Sequence, residues 1–342
     1  MKKNFKQHRD KADKWYEVKP VDERVPAARA EGLKDLGFWA RNEVIYDFAR
    51  YGVDLYANDR DFFFMHPING WMSKLIDDKR FIPILFRSVP HLVPRLAIGI
   101  EDGEAKFVLR DGIPQDFAPD LRRLFRRELS EFGSLFLKPA GLSGGRGAFS
   151  FEAGQMDHAV AQIDVKHAYI VNEQVRNEEY SQSINPYGTN TIRAYFFRPI
   201  GQPRQRLFRA FHRFGTKSSA PADNLSRGGV VSEIDIKDGR LYEVVAPSHK
   251  KTRSRIHPES QKLIEGRMVP GWPEKLDQIR EMLDALFFLD FGALDMAATP
   301  TGLKVLEVNS QPERRMLQIM RPAFLDKEFA EFCRRKNYGQ QL

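Results

Sequence analysis

Two carboxylates near the end of the chain have a spacing that could bind a cation. Residues 291–312 read FGALDMAATPTGLKVLEVNSQP, and two apolar runs around a Pro-Thr-Gly turn predict a β-hairpin. If this triplet forms the loop, Asp295 lies opposite Glu307, where two like charges destabilise a strand pair. Asn309 follows two residues after Glu307 and therefore shares its face. A Mg²⁺ ion would remove the repulsion, whereas a turn shifted by one residue would point one acid to solvent.

A glycine-rich segment earlier in the chain could bind phosphate. Residues 138–149 read KPAGLSGGRGAF, with four glycines between two strand-like runs. Glycine lets backbone N–H groups approach a phosphate without a Cβ in the way, and Lys138 could reach the phosphate oxygens. The segment is neither a Walker A loop nor a dinucleotide fingerprint, because no Gly-Lys-Ser/Thr closes it and no helix follows. The alternative is a flexible hairpin tip.

The elements around these motifs predict an α+β fold. Helical spacing occurs at residues 26–56, 69–80, 117–132, 157–166, 273–288 and 323–336. Strand-like runs occur at 135–139, 148–151, 169–175, 191–198, 207–214, 230–236, 241–246 and 289–309. Because the strands are mostly antiparallel and show no βαβ regularity, α+β is the predicted class.

The composition indicates a cytoplasmic protein. The 342 residues are 42% hydrophobic and 29% charged, with neither a membrane-spanning apolar run nor a secretory signal. A single cysteine, Cys333, excludes an internal disulfide and cysteine-based zinc sites. The net charge is +8, but the basic residues are scattered and lack interleaved aromatics, so we expect no nucleic-acid partner.

Several short motifs, taken in their order along the chain, resemble the ATP-grasp superfamily. They are most similar to its sugar-transfer-associated branch, near the glutamate-ligase-like proteins. The resemblance covers about residues 69–312 and rests on DK at 78–79, LKP at 137–139 with the glycine segment, NEQV at 172–175, NPYGTNTIR at 185–193, NLSRGG at 224–229 and LEVNS at 306–310. Each motif is weak alone, whereas their order is specific.

The resemblance implies a role for each matching residue. ATP phosphates would be contacted by Lys79, Lys138 and a loop containing Ser143, Gly144, Gly145, Arg146 and Gly147. The nucleoside would be bound by Glu173, Gln174 and Val175 for adenine, and by Glu178 or Glu179 for ribose. Magnesium would be bound by Asp295, Glu307 and Asn309. The catalytic candidates are Arg193 as an oxyanion clamp, with Asn190 and Asn224 as its partners; the alternatives are a surface arginine and turn-forming asparagines.

The resemblance also implies an ATP-grasp fold in which two α+β subdomains clasp ATP. We predict a flexible basic arm at residues 1–25, a mostly helical region at 26–80, a lid subdomain with the glycine loop at 81–180 and a C-terminal subdomain with the Mg²⁺ site at 181–342. The N-terminal region shows no clear βαβ unit, so a substrate-binding domain there would be reduced or unusual.

The reaction implied by the resemblance is an ATP-dependent ligation of a carboxylate to an amine. It would proceed through an acyl phosphate, with ATP and Mg²⁺ as cofactors and a sugar or cell-envelope-related substrate. Two other hypotheses stay open from the residues: a kinase of a small hydroxyl compound, and a non-catalytic nucleotide-binding module.

Overall fold

The coordinates are a computed structural model, which describes residues 22–65, 67–117, 119–142, 145–246 and 252–338. Most of the predicted basic arm, residues 1–21, lies outside these ranges. Every helix within the described ranges is too short or too polar to span a bilayer.

Two antiparallel β-sheets organise the described chain. The strands are β1 Leu96–Glu101, β2 Glu104–Arg110, β3 Ile113–Pro114, β4 Ser134–Pro139, β5 Phe149–Glu152, β6 Tyr169–Glu173, β7 Thr191–Phe197, β8 Arg206–Phe214, β9 Val230–Ile234, β10 Leu241–Ala246, β11 Thr252–Ser254, β12 Phe291–Thr299 and β13 Gly302–Asn309. The first sheet has the order β3-β2-β1-β6-β4-β5, and the second has the order β11-β10-β9-β8-β7-β12-β13.

Helices precede, connect and follow these sheets. They are α1 Ala27–Asp35, α2 Asn42–Ile45, α3 Phe48–Tyr51, α4 Asp59–Phe64, α5 Met72–Ile76, α6 Ile82–Leu85, α7 Leu121–Phe132, α8 Met156–Ala161, α9 Glu179–Ile184, α10 Trp272–Ala285, α11 Arg314–Leu317 and α12 Lys327–Tyr338. Short 3₁₀ turns lie at Val53–Leu55, Lys79–Phe81, Pro90–Leu92, Ala153–Gln155, Leu225–Arg227 and Ala323–Leu325. Helices and antiparallel sheets in one chain confirm the predicted α+β class.

The first sheet is stabilised by an amphipathic helix and carries the glycine loop. Helix α7 starts after Asp120, whose side chain accepts a hydrogen bond from the Arg123 N–H at 2.7 Å and so caps the first turn. Its apolar stripe packs in the same buried cluster as Leu135 and Leu137 of β4. The glycine loop connects β4 to its partner β5, so it projects from the end of a firmly packed hairpin.

The second sheet is covered on both faces, which places its strand β12, between β7 and β13, in a dry environment. Every residue of β12 is buried. One face packs against α10 in a cluster that includes Ile279 and Leu294. The other face packs against the N-terminal helices and α12, in a cluster that includes Phe62, Phe291 and Phe329. A charged residue on β12 is therefore held away from bulk water and needs charged partners.

The N-terminal region forms several short helices where the helical spacing of residues 26–56 predicts longer ones. Helix α1 ends before Gly37 and α3 ends at Gly52, with φ angles of +83° and +77°. Only glycine adopts this conformation at little cost, so each position ends a helix. The broken helices let the region wrap around the second sheet.

Polar contacts fix this N-terminal region to the second sheet. Asn69 brackets the start of β12, because its Nδ2 donates to the Phe291 carbonyl at 2.7 Å and its Oδ1 accepts from the Asp290 N–H at 2.8 Å. Beyond the end of β13, Asp77 accepts from the Ser310 N–H and Oγ at 3.1 and 2.8 Å. The helical region therefore holds both strands of the predicted carboxylate hairpin at its open end, opposite the turn.

Candidate active site

A cleft of about 410 Å³ lies between the two sheets. It brings together most of the residues singled out from the sequence: Lys79, Lys138, Gly145, Arg146, Glu173, Gln174, Val175, Arg193, Asn224, Asp295, Glu307 and Asn309. Lysines and arginines thus share one cavity with two carboxylates. Such a cavity suits an anionic ligand accompanied by a cation.

The hairpin β12–β13 pairs its two acids as predicted, although its turn differs from the prediction. Thr299 pairs with Gly302, so the loop has two residues and not the three expected. A bulge compensates for this shift, because Met296 pairs with Val305 while Asp295 still pairs with Glu307. The extra residue is Leu306. The two carboxylates therefore meet across the strands, and both line the cleft.

Asp295 is held by two arginines. Arg193, its neighbour on β7, donates from Nε and Nη2 to the two carboxylate oxygens at 2.6 Å each. Arg213 on β8 approaches the same carboxylate at 3.2 Å. Burial alone would raise the pKa of Asp295, but the two guanidiniums outweigh it and lower the pKa to about 2. Asp295 is consequently an anion whose charge is fully compensated.

Glu307 is paired with a lysine that also holds the glycine loop. Lys79 Nζ lies 3.0 Å from Glu307 Oε1 and donates to the Leu142 carbonyl at 2.8 Å. The Lys79 side chain is buried, whereas that of Glu307 is 24% exposed towards the cleft. Lys79 therefore joins the first sheet, the N-terminal region and the acidic hairpin at one point.

Lys138 reaches across the cleft to the bulge in β13. Its Nζ donates to the carbonyl of Leu306, the extra residue of the bulge, at 3.1 Å. Burial, together with the nearby charge of Lys79, lowers the pKa of Lys138 to about 8, although Glu307 and Glu173 oppose the shift. Lys138 is thus a buried ammonium with few fixed anions around it, which is the state that a phosphate would stabilise.

Three described residues of the glycine loop, Leu142, Gly145 and Arg146, line the cleft. Gly145 and Gly147 have φ angles of +67° and +68°, which other residues rarely adopt. A Cβ on Gly145 would come within 3.2 Å of the Ala222 side chain, which also lines the cleft. The loop tip therefore closely approaches the second sheet's loops. Ser143 and Gly144 lie outside the described residues.

The segment Glu173–Val175 forms one wall of the cleft. The Glu173 carboxylate accepts from the backbone N–H groups of Arg95 and Leu96 at 2.7 and 2.8 Å, which fixes the end of β6. Among the described residues, nothing bonds to the buried Oε1 of Gln174. An unpaired buried acceptor is costly, so this amide is suited to receive a hydrogen bond from a ligand's amino group.

Four predicted residues within the described ranges do not line the cleft: Gly147, Glu178, its alternative Glu179, and Asn190. Asn190 is fully buried, where its Nδ2 donates to the carbonyls of Ser181 and Asn185 at 3.0 Å each and its Oδ1 accepts two further hydrogen bonds. Its hydrogen-bonding capacity is used inside the fold by partners 5, 9 and 25 residues away, so Asn190 neither faces the cleft nor forms the local turn of the alternative hypothesis. Glu178 pairs with Lys275 of α10 at 2.7 Å, away from the cleft lining.

Two charged residues of the cleft, Asp223 and Arg213, were not predicted from the sequence. Asp223 lines the cavity and accepts from the Thr191 N–H at 2.7 Å. Arg213 lies between the two buried acids, 3.3 Å from Asp223 and 3.2 Å from Asp295. One signal was available, because Asp223 directly precedes the motif at residues 224–229. Arg213 carried no distinct signal, because it is one of three arginines in the aromatic strand β8.

Comparison with known families identifies the family of the chain. The family model described as sugar-transfer associated ATP-grasp matches residues 151–334, which is more than half of the chain. The chain belongs to the sugar-transfer-associated ATP-grasp family. Membership confirms the predicted superfamily and the predicted α+β fold class. No curated protein matches the sequence.

Solved structures of ATP-grasp ligases are similar to this family member at low sequence identity. D-alanyl-alanine synthetase A from Vibrio cholerae is 11% identical with a TM-score of 0.48, covering 78% of this chain and 65% of its own. D-cycloserine synthetase DcsG is 14% identical with a TM-score of 0.41, covering 76% and 71%. The ligase PsnB, in a complex with precursor, Mg and ADP, is 15% identical with a TM-score of 0.43, covering 80% and 62%. The chain thus spans less than two thirds of the length of the Vibrio cholerae synthetase and of PsnB.

The oxygen donors of this ATP-grasp site fit Mg²⁺. Asp295, Glu307 and Asn309 all line the cleft and offer carboxylate and amide oxygens, the donors that Mg²⁺ prefers. Among the described residues, no group of three or more His, Cys, Asp or Glu side chains could hold a metal. Burial alone would raise the pKa of Asp295, and a hydrogen bond from the Asn309 side chain adds to the two guanidiniums that lower it. Asn309 therefore lies beside Asp295 in the cleft.

Proposed function

We propose that this ATP-grasp protein activates a small carboxylate with ATP and joins it to an amine. The observation that supports the proposal most directly is the cross-strand pair of Asp295 and Glu307, which faces one cleft together with Lys79, Lys138 and Arg193. A pure phosphate binder would gain nothing from two acids beside its phosphates. A hydrolytic or ligating ATP site needs them to hold a metal ion.

The binding roles follow from position in the cleft. Lys79, Lys138 and Arg146 would bind the phosphates, with the glycine loop above them. Glu307, Asn309 and Asp295 would hold Mg²⁺, which supplies charge neutralisation for the β- and γ-phosphates. Asp295 is presently engaged by Arg193 and Arg213, so at least one guanidinium would turn from the acid towards the phosphates when the nucleotide binds.

The reaction has two displacement steps. A carboxylate oxygen of the substrate attacks the γ-phosphorus, the bond to the β–γ bridging oxygen breaks, and ADP leaves. The amine then attacks the acyl carbon, loses a proton, and inorganic phosphate leaves with the C–O bond electrons. Arg193 and Arg213 would stabilise the phosphoryl oxygens throughout, since a guanidinium fork matches two oxygens at once. The chain's contribution is positioning and charge compensation, and no protein nucleophile is required.

Hydroxylamine trapping tests this proposal. The purified protein is incubated with MgATP, hydroxylamine and a panel of carboxylates that includes sugar acids. A ligase of this type yields ADP, phosphate and a hydroxamate, because hydroxylamine attacks the acyl phosphate. A kinase would yield ADP and a phosphorylated product with no hydroxamate. Absence of ADP formation with every carboxylate and hydroxyl compound in the panel would argue against both reactions.

The lowered pKa of Lys138 predicts a pH dependence for ATP use. Lys138 loses its positive charge as the pH rises through about 8, so the free enzyme should bind phosphates less well above that pH. We expect kcat/KM for ATP to fall about tenfold per pH unit above 8, since this parameter reports on the free enzyme. The groups facing Lys138, namely Lys79, Glu307 and Glu173, set the midpoint. Lys138→Arg keeps its charge and should move the decline to higher pH; an unchanged midpoint would exclude Lys138 as its source.

Asp77 is predicted to position the metal-binding end of β13. It bonds Ser310, the residue after Asn309, through two hydrogen bonds. We expect Asp77→Ala to raise the Mg²⁺ concentration needed for half-maximal ATP turnover about tenfold, with little change at saturating Mg²⁺, because outer partners orient metal ligands. Asp78→Ala is the matched control, since Asp78 bonds Arg80 instead. Equal Mg²⁺ requirements in the two variants would contradict this role.

A further inference from the structure

A second cluster of arginines lies beside the cleft, outside the group that faces ATP. Arg41, Arg314 and Arg315 are close enough for their charges to influence one another. Asp59 and Glu313 accompany them, and Asp22, which also lies within reach of the Arg41 charge, pairs with Arg24. Among the described residues, four guanidiniums therefore face three acids, which leaves one positive charge without a counter-charge.

Asp59 and Glu313 are also paired with arginines other than Arg41. Asp59 is fully buried and bonds Arg314. Glu313 pairs with Arg315, and both side chains are about one third exposed, so this ion pair is weak and its partners can exchange. The excess charge therefore belongs to Arg41.

Arg41 is held in place without an anionic partner. Its guanidinium lies 4.5 Å from the centre of the Trp39 ring, a stacked arrangement that fixes the orientation of the fork. Trp39 is itself anchored, since its backbone N–H donates to Asp59 at 3.0 Å. No carboxylate in the described part of the chain pairs with Arg41, and its buried Nε has no hydrogen-bond partner there. The nearby Asp22 is bonded to Arg24 instead.

The cost of this arrangement argues for a missing anion. Burial, and then the charge of Arg315, lowers the pKa of Arg41. The Nε of Arg314 is also buried without a partner among the described residues. Unpaired buried N–H groups and neighbouring like charges destabilise a fold. An oxyanion bound between Arg41 and Arg315 would remove both penalties.

We propose that Arg41 and Arg315 bind an anionic group, a carboxylate or a phosphate, of the substrate that is joined by this enzyme. The cluster is continuous with the cleft, because Glu313 and Met316, on either side of Arg314 and Arg315, line it. The Tyr195 hydroxyl also donates to the Glu313 carbonyl at 2.8 Å, and Tyr195 lies two residues after Arg193 on β7. A substrate whose reacting carboxylate lies at Arg193 would extend past Glu313 to this cluster. The statement that this ligand is a substrate of the enzyme rests on the proposed function.

A melting experiment with two small anions tests the proposal on the full-length protein. Mg²⁺ and a non-hydrolysable ATP analogue are held at saturation, so that the phosphate-binding lysines are occupied. Inorganic phosphate or succinate is then titrated, and the rise in Tm gives an apparent affinity. We expect at least one anion to raise the Tm of the wild-type protein. The preferred anion indicates whether the substrate carries a phosphate or a carboxylate.

Variants assign the effect to Arg41. Arg41→Gln should weaken the preferred anion at least about tenfold, the range for losing a charged hydrogen-bond donor, while Arg41→Lys should weaken it less. Arg50→Gln is the matched control, because Arg50 also stacks on an aromatic ring, Tyr51, at 4.9 Å. The proposal is overturned if neither anion stabilises the wild-type protein or if Arg41→Gln binds it as tightly. The ATP analogue alone raises the Tm if the nucleotide site is correct, so the two proposals fail separately.

Discussion

Replacing Asp295 by asparagine is expected to destabilise the protein by about 3–5 kcal/mol, the cost of removing one partner of a buried ion pair. Asp295 is 4% exposed and compensates two guanidiniums, those of Arg193 and Arg213. The substitution leaves Arg193 buried in an apolar sheet with no carboxylate at bonding distance. Urea unfolding measures the change as a lower midpoint with an unchanged m-value.

A paired replacement distinguishes loss of compensation from loss of packing. The double variant Arg193→Met with Asp295→Leu removes both charges and fills the same space with apolar atoms, which is often tolerated for buried pairs. It should be more stable than Asp295→Asn alone, although both variants lack the predicted metal ligand and should lack ATP turnover. Two results would contradict the compensation of Arg193 by Asp295. The double variant could be less stable than Asp295→Asn, or Asp295→Asn could lower the free energy of unfolding by under about 1 kcal/mol.

Most elements of the fold were predictable because their signals are local. The apolar stripe of α7, the proline near the start of α10 and the Lys-Asp-Gly turn between β9 and β10 each predict their element from a few neighbouring residues. The helices of residues 26–56 were harder to predict. Their ends depend on Gly37 and Gly52 in conformations that suit a chain wrapping around a sheet, which is information that helical spacing does not contain.

The acidic hairpin shows a correct pairing reached through an incomplete argument. The sequence analysis assumed a three-residue turn and a regular ladder, whereas the structure has a two-residue turn and a bulge at Leu306. The two differences cancel at Asp295 and Glu307. A bulge leaves a backbone carbonyl free of the ladder, and here Lys138 of the other sheet bonds to it. That partner is 168 residues away in sequence, so no local pattern could reveal the bulge.

The site residues that were not predicted are those whose position depends on the order of the strands in the sheet. Arg213 reaches Asp295 because β8 lies beside β7 and β7 lies beside β12, an order that the sequence does not state. Asn190 illustrates the opposite error. It belongs to the same motif as Arg193, but its side chain points into the fold and bonds backbone groups. A motif identifies a segment, and only the fold decides which of its side chains reach the ligand.

Replacing Glu307 by glutamine should abolish most ATP turnover and leave the fold intact. The carboxylate is the more exposed of the two paired acids and faces the cleft, where it would hold Mg²⁺. Glutamine keeps the size and one oxygen but loses the charge that the cation requires. We expect kcat/KM for MgATP to fall about 10²–10³-fold, the range for losing one preorganised electrostatic contact in a transition state.

The fold should survive this substitution because Lys79 keeps its other partners. Its Nζ still donates to the carbonyls of Leu142 and Ala140 at 2.8 and 3.4 Å, so the free energy of unfolding should change by under about 1 kcal/mol. Glu101→Gln is the matched control. Glu101 pairs with Arg80, the residue after Lys79, at 3.0 Å, which equals the distance between Lys79 and Glu307, but Glu101 lies outside the cleft. Glu101→Gln should keep full turnover. Asp295→Asn and Glu307→Gln should both lose ATP turnover, but only Asp295→Asn should lose stability. This difference would distinguish the acid that compensates buried arginines from the acid that faces the metal. Equal turnover in Glu307→Gln and Glu101→Gln would show that the hairpin does not bind Mg²⁺.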